Sequence, residues 1–295
     1  MAFVNCDHID MPAEEYHASP GWSNSQLKHL PGEPELFHGL YIRKRPEWQK
    51  EQRESSVMRF GTAGHAWFLE NEKPVVAPPS VLSKAGSRAG KAWESFEAAH
   101  DGDTILTQDE WDALQYAKTR AQADPEIDAY LATAGMVEHS LFATDEATGL
   151  PVRCRIDKIP EFHDGLEVLD LKFSGDVSEY WASNQMAKML YYRQAAFYWD
   201  LATAMYQEPK AFTFLFVRNE PPYDSALWRL YADDIDLGRQ ENAMALLSLK
   251  ERLRTDNWYS DAFGRIGYIH LPAWKKKESP LLPVGFSEFT PYDNQ

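Results

Sequence analysis

The chain has 295 residues, 44% of them hydrophobic, and a formal net charge of −15. That length suits a single α/β domain with elaborations, and the apolar share is enough for a sizeable core, which argues against a disordered chain. No apolar run approaches the length of a membrane span and the N-terminus carries no signal-peptide pattern, so a cytoplasmic protein is expected. Two cysteines, Cys6 and Cys154, are too few for a disulfide framework or a four-cysteine cluster.

Taken in chain order, residues 1–22 read as irregular. Ser23-Asn24-Ser25-Gln26 has the form of a capping box and opens a short helix that Pro31-Gly32 ends; a second short helix follows Pro34. Arg43-Lys44-Arg45, with Lys50 and Arg53 nearby, makes a basic patch. The run Val57 to Glu70, VMRFGTAGHAWFLE, predicts a helix with Val57, Phe60, Gly64, Trp67 and Phe68 as its apolar stripe. Gly61 and Gly64 each cost a helix about 1 kcal/mol relative to Ala, which predicts close approach by a neighbouring element. By pattern, His65 reads either as a core histidine or as a ligand. Pro74 to Gly90 reads as a loop. Thr107-Gln108-Asp109-Glu110 is a second capping box, opening a helix with Trp111, Leu114 and Ala121 on one side, and Pro125 starts another.

Met136 to Thr144 alternates as a strand containing Glu138, which faces either solvent or a partner that offsets its burial. The stretch that follows, Val152 to Asp176, predicts a β-hairpin closed tightly at His163-Asp164-Gly165, where Asp-Gly supplies the positive-φ positions. One strand is expected to end in Asp157. The other carries Asp170 and Lys172 two residues apart, hence on one face of the sheet. Two carboxylates and an ammonium brought together this way can hold a divalent cation and, beside it, a water. Cys154 reads as a small core residue. After Asp176-Val177-Ser178-Glu179 a long helix is expected to reach Met205, with Gln194 and Tyr198 four apart on one face. On that face they are either a surface Gln and a core Tyr or a pair at a site. Residues 210–218 and 225–231 predict strands, and 234–254 a helix. The tail from Asp261 is rich in Pro and aromatics and includes Lys275-Lys276-Lys277.

RCRIDKIPEF…EVLDLK resembles the core of the PD-(D/E)xK nucleases, with Asp in the second acidic position. More closely it is similar to the nuclease domain of RecE-type exonucleases. GTAGHAWFLE around His65, Glu138 ahead of the hairpin, Gln194 and Tyr198 in YYRQAAFYWD, and the opening EYHASPGWSNSQLKHL occur in the same order there. The similarity runs from about Tyr16 to near Arg254. It implies a restriction-endonuclease-like α/β fold, a central mixed sheet flanked by helices. The expected layout is one nuclease domain with an N-terminal segment 1–56, a core 57–254 and a packed tail 255–295.

The resemblance also implies a site. His65, Asp157 and Asp170 would ligate Mg²⁺, with Mn²⁺ able to substitute. Lys172 would orient the attacking water, Glu138 would touch metal or water, and Gln194 and Tyr198 would position the DNA at the cut. Arg153 and Arg155 lie beside this site as candidate phosphate clamps. Having two cysteines, the chain is expected to lack the iron–sulfur cluster of the CRISPR-associated and AddB-type relatives. The implied activity is 5′-to-3′ degradation of linear double-stranded DNA from an end, leaving a 3′ tail for a single-strand annealing protein. The alternatives are an endonuclease, a single-strand exonuclease, or a non-catalytic DNA-binding protein on the same core. A net charge of −15 gives little sequence-wide attraction for phosphate, which suits an enzyme that confines DNA to one channel. The resemblance implies a tetrameric ring, for which Trp22, Trp48, Trp274, Phe286 and Phe289 would supply subunit contacts or else pack within one chain.

Overall fold

A computed structural model describes residues 1–48, 56–260, 263–264, 266 and 268–272. The elements in chain order are β1 (Phe3–His8), α1 (Ala13–Ala18), α2 (Asn24–Leu27), α3 (Pro34–Phe37), α4 (Ser56–His65), β2 (Val75–Ala77), α5 (Lys91–Ala99), β3 (Ile105–Thr107), α6 (Gln108–Ala121), α7 (Pro125–Ala132), β4 (Gly135–Asp145), β5 (Pro151–Pro160), β6 (Glu167–Ser174), α8 (Glu179–Lys188), α9 (Tyr191–Met205), β7 (Ala211–Arg218), β8 (Ser225–Arg229) and α10 (Ala232–Thr255). Six strands form one mixed sheet in the order β1-β4-β5-β6-β7-β8. Among the described strands of this sheet only β6 and β7 run parallel. A parallel pair needs a crossover, and α8 with α9 provides it. The short strands β2 and β3 pair separately, in parallel.

Strand alternation divides the core into two layers. On β6 and β7, Val168, Phe212, Phe214 and Phe216 join Ala195, Phe197 and Leu201 of α9 and Leu246 and Leu249 of α10. Leu169, Leu171, Leu215 and Val217 point the other way, onto Phe60 and Ala63 of α4, Leu114 of α6 and Ile127 of α7. Because side chains on a strand alternate between faces, a sheet apolar on both sides must be covered on both, and the result is helix–sheet–helix. This is the expected α/β architecture. Among the described residues no helix is long and apolar enough to cross a membrane.

Several local expectations need correction. Residues 1–22 are not irregular: β1 pairs with β4 as an edge strand, and α1 follows. A register shift between Val4 and Asp7, with Asn5 at φ 53°, breaks the alternation that would have marked β1. The β5–β6 connection is a longer loop than a two-residue turn, and only Gly165 of its Asp-Gly pair has positive φ, at 144°. Asp157 lies inside β5, which continues to Pro160. The long helix after Ser178 is two helices, broken at Leu190 with φ 58°. Pro74 to Gly90 contains β2 and a single 3₁₀ turn. Both capping boxes are present, at Ser23 and Thr107. Trp22 and Trp48 pack within the chain, Trp22 at 5.3 Å from the Phe37 ring and Trp48 beneath the Arg45 guanidinium. Trp274, Phe286, Phe289, Lys50, Arg53 and Lys275-Lys276-Lys277 lie outside the described residues.

The chain divides into two units, Met1–Trp258 and Tyr259–Gln295. In the second, the Tyr259 and Phe263 rings stack at 4.2 Å, and the Phe263 N–H donates to the Ser260 carbonyl at 3.0 Å.

Candidate active site

His65 is the last residue of α4, and the chain continues from it into a π-helical turn, Ala66–Glu70. Two contacts fix where this imidazole sits. At Gly64, an added Cβ would fall 2.2 Å from the Phe173 ring of β6, so the helix lies closer to the sheet there than a side chain allows. A Cβ added at Gly61 would meet nothing within 4 Å among the described residues. The close approach expected for both glycines therefore exists at one. Behind the π turn, the buried Lys118 Nζ donates to the Trp67 carbonyl and to Asn71 Oδ1, each at 2.6 Å, and lies over the Trp67 ring. It satisfies one backbone carbonyl that the helix end otherwise leaves open, and anchors the Asn71 side chain that follows.

Glu138 and Asp157 come from adjacent strands. Val137 pairs with Lys158 and His139 with Ile156, so the two acids occupy the opposed positions between them. The ladder is interrupted there, and Glu138 takes φ 48°. That left-handed conformation costs a non-glycine residue on the order of 1 kcal/mol, as residues held at functional sites often do. His65 Nδ1 lies 3.5 Å from Asp157 Oδ2 and 3.7 Å from Glu138 Oε1. One ligand atom from each of the three lies within 4.8 Å of the others. Arg155 holds Glu138 from behind, its Nε donating to Oε2 at 2.7 Å while its Nη1 donates to the Met11 carbonyl and Ser140 Oγ. The Leu171 N–H donates to Asp157 Oδ2 at 2.7 Å.

On β6 the two-residue spacing does what alternation requires, and Lys172 Nζ is ion-paired with Asp170 Oδ2. Gln194 Nε2 of α9 donates to Asp170 Oδ1 at 2.5 Å. Asp170 is buried, and among the described residues its Oδ2 accepts no well-directed hydrogen bond. Lys172 Nζ also lies 4.9 Å from the centroid of the Tyr191 ring. Sequence reading passed over Tyr191, although it stands three residues before Gln194 and so shares its helical face. Tyr198, the other residue on that face, packs against Phe212 in the core, its ring centroid 6.4 Å away.

Arg153 has a different role from the clamp expected of it. It is buried, and its guanidinium donates to the Tyr16, His17 and Ser19 carbonyls at the C-terminal end of α1. Those donors tie the N-terminal segment to β5 and do not face a phosphate. Arg155 is likewise engaged, but with a member of the acidic cluster.

Residues 23–271 match the family described as PDDEXK-like domain of unknown function, DUF3799. The chain belongs to this family. Asp157, Asp170 and Lys172 stand in the order that the PDDEXK name abbreviates. A crystal structure from Eubacterium rectale, described as a "putative exonuclease", shares the fold with a TM-score of 0.55 at 14% identity, covering 92% of this chain and 99% of that one. No curated protein matches the sequence.

PDDEXK-like domains generally use divalent metals, and the donor set of this one suits a hard cation. Burial, and then repulsion from Asp170, lifts the Asp157 carboxyl from 3.8 to about 7. Burial lowers the His65 imidazole, but Asp157 and Glu138 outweigh it and hold the ring above the ordinary histidine value. Burial raises Glu138, while hydrogen bonds from His65 and Arg155 bring it below its usual range. Burial lowers Lys172, and the Asp170 and Asp157 carboxylates reverse that and hold it above its usual range. Protein protons thus make up part of the positive charge that these carboxylates need. A divalent cation would replace them, with two carboxylate oxygens and an imidazole nitrogen as ligands.

Proposed function

We propose that this protein is a metal-dependent deoxyribonuclease that hydrolyses DNA phosphodiesters at the His65–Glu138–Asp157–Asp170–Lys172 cluster. The observation that carries the reading is convergence. A three-residue donor set and an acid–lysine ion pair, drawn from α4, β4, β5 and β6, meet at one place on the sheet. His65, Asp157 and Glu138 would hold Mg²⁺, or Mn²⁺ in its place, with Asp170 at its edge. When bound, the cation acidifies water and polarises a phosphate oxygen. Lys172 orients the attacking water with its N–H donors and offsets charge as the phosphorus gains a fifth oxygen. Gln194 keeps Asp170 in place. Arg155 keeps Glu138 turned toward His65, and Tyr198, partly buried, packs α9 onto the core.

Within this activity we favour an exonuclease that degrades linear double-stranded DNA 5′ to 3′ and leaves a 3′ tail for an annealing protein. A protein of net charge −15 needs something other than bulk attraction to remain on its substrate. A homotetrameric ring around the duplex supplies it by enclosure, and closed cyclic symmetry is common among homo-oligomers. The test is digestion of linear duplex labelled at the 5′ or the 3′ end, beside closed circular and single-stranded DNA, with and without Mg²⁺. Early release of the 5′ label, with the circle intact, is expected. Cutting of the circle points to an endonuclease, preference for the single strand to the other exonuclease class, and no cleavage with any metal to a binding protein. Light scattering with and without DNA tests the ring.

A further inference from the structure

The first turn of α9 holds both members of the Asp170–Lys172 pair. Gln194 binds the carboxylate at Oδ1, and three residues earlier the Tyr191 ring lies beneath the ammonium, 4.9 Å from Nζ to the centroid. Residues three apart lie on one helical face, so a single rigid turn fixes the acid and the lysine relative to one another. The chain reaches this arrangement through the break at Leu190, whose left-handed φ of 58° starts α9 afresh with Tyr191 as its first residue. The ring is itself held, with Phe214 and Phe216 of β7 at centroid distances of 6.0 and 6.5 Å. Its hydroxyl makes no hydrogen bond among the described residues.

An ammonium has three N–H donors. Here one direction is occupied by Asp170 and one is covered by the aromatic face, while Asp157 stands alongside, its Oδ2 accepting the N–H of Leu171 between Asp170 and Lys172. We infer that Tyr191 is a positioning residue for Lys172: its ring closes one side of the ammonium, so that the remaining N–H is directed toward the acidic cluster, where water and phosphate meet. The ring face carries this role and the hydroxyl does not. The inference rests on the nuclease reading for its consequence in turnover, but not for the contact itself.

Two readouts separate these. In protein labelled at lysine, a ring over Nζ shifts the Lys172 ε-methylene protons upfield, and Lys172→Arg identifies that resonance. The shift is expected to persist in Tyr191→Phe and to vanish in Tyr191→Leu. In steady-state cleavage of linear duplex with saturating Mg²⁺, Tyr191→Phe is expected within about threefold of wild type. Tyr191→Leu is expected to lose about 30-fold in kcat, the worth of a desolvated cation–π contact, with KM for DNA unchanged. A merely structural defect would lower the melting temperature and the active fraction in both variants without this split. An upfield shift that survives in Tyr191→Leu overturns the inference. So does full turnover in Tyr191→Leu, or a Tyr191→Phe variant as slow as Tyr191→Leu. A wild-type protein with the shifted resonance and no DNA cleavage refutes the nuclease reading while upholding the contact.

Discussion

Replacing Asp157 with Asn should abolish cleavage and make the metal-free protein more stable. The carboxyl rises from 3.8 to about 7 on folding. A group whose folded pKa is raised in this way destabilises the fold. The cost is absent below the unfolded value, grows between the two, and is complete above the folded one. At about 1.36 kcal/mol per unit, three units amount to about 4 kcal/mol at pH 8. Asn removes the charge and keeps an oxygen to accept the Leu171 N–H that Asp157 Oδ2 now accepts. Two effects reduce the gain: local relaxation, and loss of the charge that helps His65 keep its proton. About 2 kcal/mol is then expected, or about 4 °C in melting temperature for a chain of this size. The assay is calorimetry in excess chelator at pH 8 and pH 5. At pH 5 the gain should fall to about a third, because wild-type Asp157 is by then largely neutral in the folded state. A melting temperature that is unchanged or lowered at pH 8, or a gain independent of pH, would refute the account of the crowded carboxylates.

Excess EDTA should abolish cleavage and Mg²⁺ or Mn²⁺ restore it; activity that persists in chelator would remove the metal from the reaction. Apparent Mg²⁺ affinity, measured by calorimetric titration, should fall by about tenfold or more per pH unit below about pH 7, and by up to about a hundredfold where Asp157 and His65 are both protonated, since the cation must displace both protons. Flat affinity from pH 8 to 5 would place the ligands elsewhere. Lys172→Ala should lower turnover by on the order of a hundredfold or more while the circular dichroism spectrum is retained; near-normal cleavage would move the site away from β6. Gly64→Ala should cost about 2 kcal/mol or more through overlap with Phe173, whereas Gly61→Ala should be neutral or stabilising by up to about 1 kcal/mol. Chemical denaturation of the two variants in parallel decides between a packed and an open glycine.

The chemistry-bearing residues were legible because their constraints are local. Asp170 and Lys172 share a face by strand alternation alone, and their ion pair follows. The facing of Glu138 and Asp157 depends on the register between β4 and β5, which neither strand's own alternation fixes. Arg153 was misread because an arginine beside an acidic cluster looks the same in sequence whether it faces phosphate or the carbonyls of a distant segment. The edge strand β1 was hidden by a bulge that breaks its period. The π turn after His65 and the break at Leu190 have no compositional signature: neither contains Pro, and Leu190 has a left-handed backbone without being Gly. Tyr191 was therefore assigned to the middle of a helix that in fact begins with it.

The parallel pairing of β6 with β7 has a consequence for when the site comes into being. Asp170 and Lys172 leave the ribosome well before α9 and β7, and until the crossover closes nothing holds the acid by Gln194 or the ammonium by the Tyr191 ring. His65 is translated still earlier, over a hundred residues ahead of Gln194. A nascent chain therefore carries all of these side chains while the two α9 contacts on Asp170 and Lys172 are still missing. Completion of the site thus waits on the crossover: its last two contacts form only once α9 docks beside β6.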